Sequence, residues 1–116
     1  MPNGASFAKA SACRGYGVEV ILEGRTFEES LRFARRQAPS RGMTLIHAFD
    51  DPDIIAGQGT IGLEIVNELP DVDLVMVPTG GGGLLSGVAL AVKSQAPHAR
   101  VVGVQAAAAS AWANAG

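Results

Sequence analysis

The chain has 116 residues, of which 47% are hydrophobic, with a formal net charge of −2 and one cysteine. This length suits one domain or less. The slightly acidic balance argues against nucleic acid or an anionic membrane surface as a partner, and no apolar stretch approaches the roughly 20 residues of a spanning helix. One cysteine excludes an internal disulfide. Since no basic-then-apolar leader begins the chain, the expected location is the reducing cytosol.

The first half of the chain predicts two strands with a helix between them. Val18 to Leu22 has the apolar, β-branched pattern of a buried strand. Thr26 and Glu29 then form a capping box, in which the Thr26 hydroxyl accepts from the Glu29 N–H and the Glu29 carboxylate reaches back. A helix to about Ala38 follows, and Thr44 to Phe49 predicts the next strand.

The middle of the chain predicts a long helix that ends near Leu69. Asp51 can cap this helix, and Pro52 fits its first position because the missing N–H costs nothing there. Gly57 and Gly59 each weaken the helix by about 1 kcal/mol relative to alanine, so close packing or a bend is expected at both. Four residues would share one face of this helix: Ile54, Gln58, Ile61 and Ile65.

The second half predicts a βαβ unit. Its parts are a strand from Asp73 to Pro78, a glycine loop at Gly80 to Gly83, a helix from Leu84 to Ala96, and a strand from Arg100 to Gln105. Alternation of strands and helices with short connections indicates an α/β fold with a parallel sheet. The loop would lie at the carboxyl end of the first strand, where ligands bind in such sheets.

The four glycines of the loop indicate an anion-binding site, with phosphate as the expected ligand. Glycine permits positive φ and close approach of a ligand to the backbone, and the N–H groups at a helix start point at negative charge. Two common nucleotide loops fit poorly. A P-loop requires a Lys-Ser or Lys-Thr pair, but Val88 and Ala89 follow Gly87. A dinucleotide fingerprint starting at Gly80 would place its third glycine at Leu85, which leaves NAD as a weak alternative.

Several segments together resemble threonine ammonia-lyases (threonine dehydratases), serine racemases and related lyases of the pyridoxal 5′-phosphate (PLP) fold type II group. Nearly the whole chain is covered, with similar order and spacing. The segments are residues 1–2 (MP), 14–20 (RGYGVEV), 47–52 (HAFDDP), 55–60 (IAGQGT) and 77–87 (VPTGGGGLLSG).

The resemblance implies a cofactor, a fold and a domain arrangement. In that family the tetraglycine loop holds the PLP phosphate through backbone N–H groups. This role carries onto Gly80, Gly81, Gly82 and Gly83, extended by the N–H of Leu84. The implied fold is the parallel-sheet fold of the tryptophan synthase β group. Residues 1–52 would belong to the small, cofactor-closing domain and residues 53–116 to the large PLP-binding domain.

The family's Schiff-base lysine, in a Ser-x-Lys-x-Arg-Gly-Ala-like motif, has no match in this chain. Only Lys9 and Lys93 are present. Lys9 matches a different lysine of the family, and Lys93 would lie roughly 15 Å along its helix from the loop. We therefore assign no catalytic residue. The chain reads as an interior fragment of a lyase that deaminates a β-hydroxy amino acid to a 2-oxo acid and ammonia, inactive alone and homo-oligomeric when intact.

Other chemistries have weaker support. His47 and His98 lack further ligands at metal-binding spacing, so we assign no metal and interpret His47 as a solvated or capping residue. Some family members hold a divalent cation through a glutamate at the position of Gln105, where the charge is missing here. Asp50 and Asp51 suit a turn and a helix cap. Three arginines are interpreted as a solvated helix face: Arg32, Arg35 and Arg36.

Two alternatives to the lyase fragment stay open. One is a non-catalytic phosphate- or nucleotide-binding α/β module. The other is an inactive remnant that associates with other chains through unpaired sheet edges and apolar faces. The favoured interpretation implies a small amino-acid substrate, with no nucleic-acid or membrane partner.

Overall fold

The structure, a computed structural model, describes residues 1–109 and residue 112. The chain divides into two compact units, Met1–Leu45 and Ile46–Gly116. Among the described residues, no helix has the length and apolar character needed to cross a membrane.

The first unit contains two helices, α1 (Phe7–Gly15) and α2 (Phe27–Ser40). The predicted capping box is present at α2, where the Thr26 hydroxyl accepts from the Glu29 N–H at 3.2 Å. The return hydrogen bond differs by one residue, because the Glu29 carboxylate accepts from the N–H of Arg25 at 2.7 Å. Satisfying both N–H groups fixes the start of the helix.

The two strands predicted in the first half are absent, so these predictions were wrong. Residues 18–22 form no strand, and beside them the Glu23 N–H donates to the Met1 carbonyl at 2.8 Å. Residues 44–49 end in a turn instead, in which His47 Nδ1 accepts from the N–H of Asp50 at 2.8 Å. An apolar run favours extended backbone, but a strand also needs a regular ladder with a neighbour.

The second unit has the predicted order of elements. Strands β1 and β2 are parallel and in register, with Leu74 opposite Arg100 and Pro78 opposite Val104. The predicted βαβ unit is therefore confirmed. The elements are α3 (Pro52–Glu68), β1 (Leu74–Pro78), α4 (Gly83–Gln95), β2 (Arg100–Val104) and a 3₁₀ turn (Ala107–Ala109).

Helix α3 begins as predicted. The Asp51 carboxylate accepts from the N–H of Asp53 at 2.9 Å, which confirms the cap. Of the four residues grouped on one face, Ile65 packs against the core, whereas Ile61 is 42% exposed. Helix α3 packs on α4 through Gly59 and Gly62, which are buried.

Glycines allow α3 and α4 to approach closely. A Cβ on Gly62 would lie 2.8 Å from the Cβ of Ala91, and one on Gly87 would lie 2.6 Å from the backbone nitrogen of Gly59. The space around Gly57 is open, so the close packing expected there is absent. At these positions the two helices therefore meet through backbone atoms and the Cβ of Ala91, with no larger side chain between them.

The core of the second unit lies between the strand pair and α4. Val88 and Val92 are fully buried on the inner face of α4. Their neighbours in the core are Val75, Val77, Ala96 and Ala99. Packing of this kind positions the start of α4 relative to the end of β1, which is where the glycine loop lies.

Candidate functional site

The glycine loop joins the end of β1 to the start of α4. The Thr79 N–H donates to the Val104 carbonyl at 2.8 Å, so the loop leaves the sheet directly after the last paired residue. Gly82 caps α4 with φ of +95°, in the left-handed region that favours glycine. The helix begins at Gly83, one residue before the predicted start.

Unpaired backbone donors are concentrated at this helix start. Ser86 donates its N–H to the Gly82 carbonyl at 2.9 Å, which is the first hydrogen bond of the helix ladder. Within the described part of the chain, no group accepts from the N–H groups between Gly80 and Leu85. The positive end of the helix dipole adds to their attraction for an anion.

A cavity of about 280 Å³ opens onto these donors. All five residues singled out from the sequence line it: Gly80, Gly81, Gly82, Gly83 and Leu84. Residues from the turn before α3 and from α3 itself, including Phe49 and Gln58, form another part of its wall. None of the described residues that line the cavity carries a charged side chain, so its affinity for anions comes from backbone groups.

Two loop glycines have no room for a side chain. A Cβ on Gly81 would overlap the ring of Phe49, and one on Gly83 would lie 2.6 Å from the Phe49 carbonyl oxygen. By contrast, a Cβ on Gly80 would meet nothing within 4 Å. Glycine at 81 and 83 thus lets Phe49 pack directly on the loop backbone.

Two side chains that follow β2 support the loop from outside the cavity. The Gln105 amide donates through Nε2 to the Thr79 carbonyl at 3.1 Å. The Trp112 indole donates through Nε1 to the Gly80 carbonyl at 2.9 Å, and the Trp112 N–H donates to Gln105 Oε1 at 3.1 Å. The sequence interpretation considered Gln105 as the end of a strand and as a lost cation ligand, but not as a support of the loop, and it missed Trp112. A lone tryptophan soon after a strand at the site's edge was the available signal.

The lysines and histidines have structural surroundings. Lys93 lies near the far end of α4, where Nζ donates to the Ala99 carbonyl at 3.0 Å, so its predicted direction away from the loop is confirmed. Lys9 lies on α1, in the other unit. His47 was interpreted as solvated or capping, and its Nδ1 accepts from the N–H groups of Phe49 and Asp50, in the bend before α3. Among the described residues, no group of three or more His, Cys, Asp or Glu side chains could hold a metal ion.

A family model described as "Pyridoxal-phosphate dependent enzyme" matches residues 1–116. The chain belongs to this family. It is 51% identical over 105 residues to an L-threonine ammonia-lyase of Thermotoga maritima, covering 90% of this chain and 26% of that protein. It is 48% identical over 106 residues to an L-threonine dehydratase of Staphylococcus aureus, covering 91% of this chain and 31% of that protein.

Solved structures agree with this assignment. The processed form of threonine deaminase isoform 2 from Solanum lycopersicum matches with a TM-score of 0.79 and 43% identity, covering 90% of this chain and 29% of that one. Maize serine racemase matches with a TM-score of 0.81 and 35% identity, covering 88% of this chain and 31% of that one. The α/β fold predicted from the sequence is therefore confirmed. The chain spans 26–31% of the length of the curated relatives named above.

The cavity fits the phosphate group of the family's cofactor. Left-handed backbone at Gly82, the backbone donors of the loop and the uncharged side chains of the described lining residues all suit a dianion held by main-chain groups. The described lining residues include no lysine, so they offer no amine for the cofactor's aldehyde.

Proposed function

We propose that this chain supplies the phosphate-binding cup of a PLP-dependent ammonia-lyase that acts on threonine or a related β-hydroxy amino acid. The observation that carries the proposal is the set of backbone N–H groups that meet one cavity at the start of α4. The groups that would hold the phosphate belong to Gly80, Gly81, Gly82, Gly83 and Leu84.

The contribution of these residues is binding and orientation. When bound, PLP supplies an electron sink that weakens the bonds at Cα of the amino acid, so that the β-hydroxyl can leave. The loop N–H groups fix the phosphate, and each hydrogen bond to a charged oxygen is worth about 1.5–3 kcal/mol. The α4 dipole favours the same dianion. The described lining residues offer no acid or base, so proton transfer belongs to groups outside this chain's cavity.

The substrate class rests on the relatives. The curated relatives are named for threonine, and a solved neighbour is named for serine. The assignment of residues 1–52 to a small cofactor-closing domain and of residues 53–116 to a large PLP-binding domain belongs to the same proposal. So do a cytosolic location and a homo-oligomeric whole enzyme.

The test compares ligands that differ only in the phosphate. Pyridoxine 5′-phosphate and pyridoxine both lack the aldehyde, so neither reacts with Lys9 or Lys93. We expect the 116-residue chain to bind the phosphate ester at least about tenfold more tightly, since several charged hydrogen bonds are added. Calorimetric titration measures both affinities. Equal affinities would contradict the phosphate cup.

A loop variant and a matched control locate the binding. Gly82→Ala places a Cβ 2.8 Å from the Trp112 ring on backbone with φ of +95°, and we expect it to remove the preference for the phosphate ester. Gly57→Ala, at an open helix position, should leave the preference unchanged. Glycerol phosphate binding as tight as that of pyridoxine 5′-phosphate would favour the alternative of a general phosphate-binding module.

A further inference from the structure

We infer that Gln105 and Trp112 are positioning residues that set the direction of the first two N–H groups of the glycine loop. This inference rests on the proposed phosphate cup and deepens it. Both side chains contact loop carbonyls from outside the cavity, and neither lines it. They would therefore act on a bound phosphate only through the loop backbone.

The geometry follows from the planar trans peptide. In a trans peptide, the carbonyl of one residue and the N–H of the next point in opposite directions, and the described residues include no cis bonds. Gln105 holds the Thr79 carbonyl, which sets the direction of the Gly80 N–H. Trp112 holds the Gly80 carbonyl, which sets the direction of the Gly81 N–H.

Glycine makes such support necessary. Without a Cβ, glycine adopts positive and negative φ with similar ease, so a peptide between glycines can rotate into several orientations. A Cβ on Gly80 would meet nothing within 4 Å, so the space beside this residue is open. Neighbouring atoms on that side therefore do not restrain the orientation of the two peptides that Gly80 joins. The hydrogen bonds to Thr79 and Gly80 select one orientation before an anion arrives, which lowers the entropy lost on binding.

Gln105 also holds the main chain of Trp112. The main-chain N–H of Trp112 donates to Gln105 Oε1 at 3.1 Å, while the opposite end of the Gln105 amide donates to the Thr79 carbonyl. The indole ring also lies against Gly82, where a Cβ would be 2.8 Å from it. Removing the Gln105 amide should therefore also loosen the contact that the Trp112 indole makes with Gly80.

The experiment uses the full chain and two conservative variants. Trp112→Phe keeps an aromatic ring beside Gly82 and removes the Nε1 donor, and Gln105→Met keeps the side-chain length and removes the amide. Gln37→Met makes the same change on the exposed face of α2 and is the matched control. The measurement is NMR titration with pyridoxine 5′-phosphate, following the amide signals of Gly80 and Gly81.

Trp112→Phe and Gln105→Met are each expected to bind pyridoxine 5′-phosphate about three- to tenfold more weakly. A loss of this size corresponds to the free energy of one hydrogen bond that orients the loop before binding. The double variant should lose less than the product of the two single losses, since the side chains share one network. Affinity for pyridoxine, which lacks the phosphate, should not change. The control should bind like the parent chain.

A result that contradicts the inference can be distinguished from one that contradicts the phosphate cup. A lower unfolding midpoint with unchanged affinity for the phosphate ester would show a purely structural role and overturn the inference. So would unchanged Gly80 and Gly81 amide signals in the ligand-free variants. If the parent chain itself binds pyridoxine and its phosphate ester equally, the phosphate cup fails instead, whatever the variants do.

Discussion

The two units of the chain differ in how much interior they build. The second unit buries Val75, Val77, Val88 and Val92 between a paired sheet and a helix, whereas Ala10 is the one buried hydrophobic residue among those described in the first. Both units nevertheless contain a helix with a side-chain cap, α2 with Thr26 and α3 with Asp51.

The comparison separates local from non-local requirements. A helix cap needs a side chain and an N–H group within a few residues, so it forms in either unit. A strand needs a neighbour from elsewhere in the chain, and the structure provides one only for Leu74–Pro78 and Arg100–Val104 among the described residues. Substitutions that disturb packing are therefore expected to lower the stability of the second unit more than that of the first.

The largest effect is expected where two helix backbones meet. In Gly87→Ala, the new Cβ would overlap the Ile55 carbonyl and lie 2.6 Å from the Gly59 nitrogen, and backbone atoms can move aside only if the helices separate. We expect the free energy of unfolding to fall by about 3 kcal/mol, at the upper end of overpacking costs. Urea unfolding, followed by the circular dichroism of the helices, measures the change.

The control for this variant is expected to change the free energy of unfolding in the opposite direction. Gly57→Ala makes the same substitution inside α3, where a Cβ meets nothing within 4 Å. Alanine should therefore stabilise the helix by about 1 kcal/mol through its propensity alone. If both variants shifted stability in the same direction by similar amounts, close packing of α3 on α4 would not be the deciding factor.

An intermediate effect is expected at the two caps. Thr26→Ala and Asp51→Ala each remove an acceptor for N–H groups at a helix start and should cost about 1 kcal/mol. Hydrogen exchange should report faster exchange in the first turn of α2 for one variant and of α3 for the other. Thr44→Ala, at an exposed position outside any helix or strand, is the control and should change neither helix.

Unequal costs at the two caps would sharpen the comparison between the units. A clearly larger loss for Asp51→Ala would mean that the packing of α3 on α4 depends on its first turn. A negligible loss for both would contradict the capping assignments.

The smallest effect is expected from Glu28 in the first turn of α2. Its backbone N–H and then the Thr26 hydroxyl hold the pKa of its carboxyl below the ordinary value of 4.5, with a further contribution from Arg32. Because folding lowers this pKa, the carboxylate stabilises the fold above the unfolded pKa. That contribution is lost as the pH falls below 4.5 through the folded value.

Thermal unfolding midpoints across this acidic range test the assignment. Glu28→Gln should flatten the pH dependence slightly, since the carboxyl is exposed to solvent. Glu64→Gln, which lies outside the first and last turns of α3, removes the same charge and serves as the control. If Glu28→Gln left the pH dependence of the unfolding midpoint unchanged, the contribution of the Glu28 carboxylate to stability would be refuted.

Sequence reasoning succeeded where the determining contacts are local. The caps at Thr26 and Asp51, the helix of the βαβ unit and the glycine loop all depend on residues a few positions apart. The parallel pairing was also predicted, because a strand, a helix and a second strand with short connections leave few arrangements. The predicted strands at 18–22 and 44–49 failed because their apolar pattern carries no information about a partner.

The site was predictable only in part for the same reason. The four glycines predicted the loop, since the positive φ at Gly82 strongly favours glycine. The contacts that shape the loop come from distant positions, namely Phe49 before it and Gln105 and Trp112 after it. The close packing at Gly62 and Gly87 likewise depends on which helix faces which, and periodicity alone does not reveal that.

The close contact that glycines allow between α3 and α4 has a consequence for protein engineering. Since Gly59, Gly62 and Gly87 set the spacing of the two helices, the donors at the start of α4 are held in place by a neighbour that precedes the loop in the chain. A graft of the four glycines and their helix into a foreign scaffold would leave that neighbour behind. The smallest portable version of this binding element therefore starts before α3, at Phe49, and continues past β2 to Trp112.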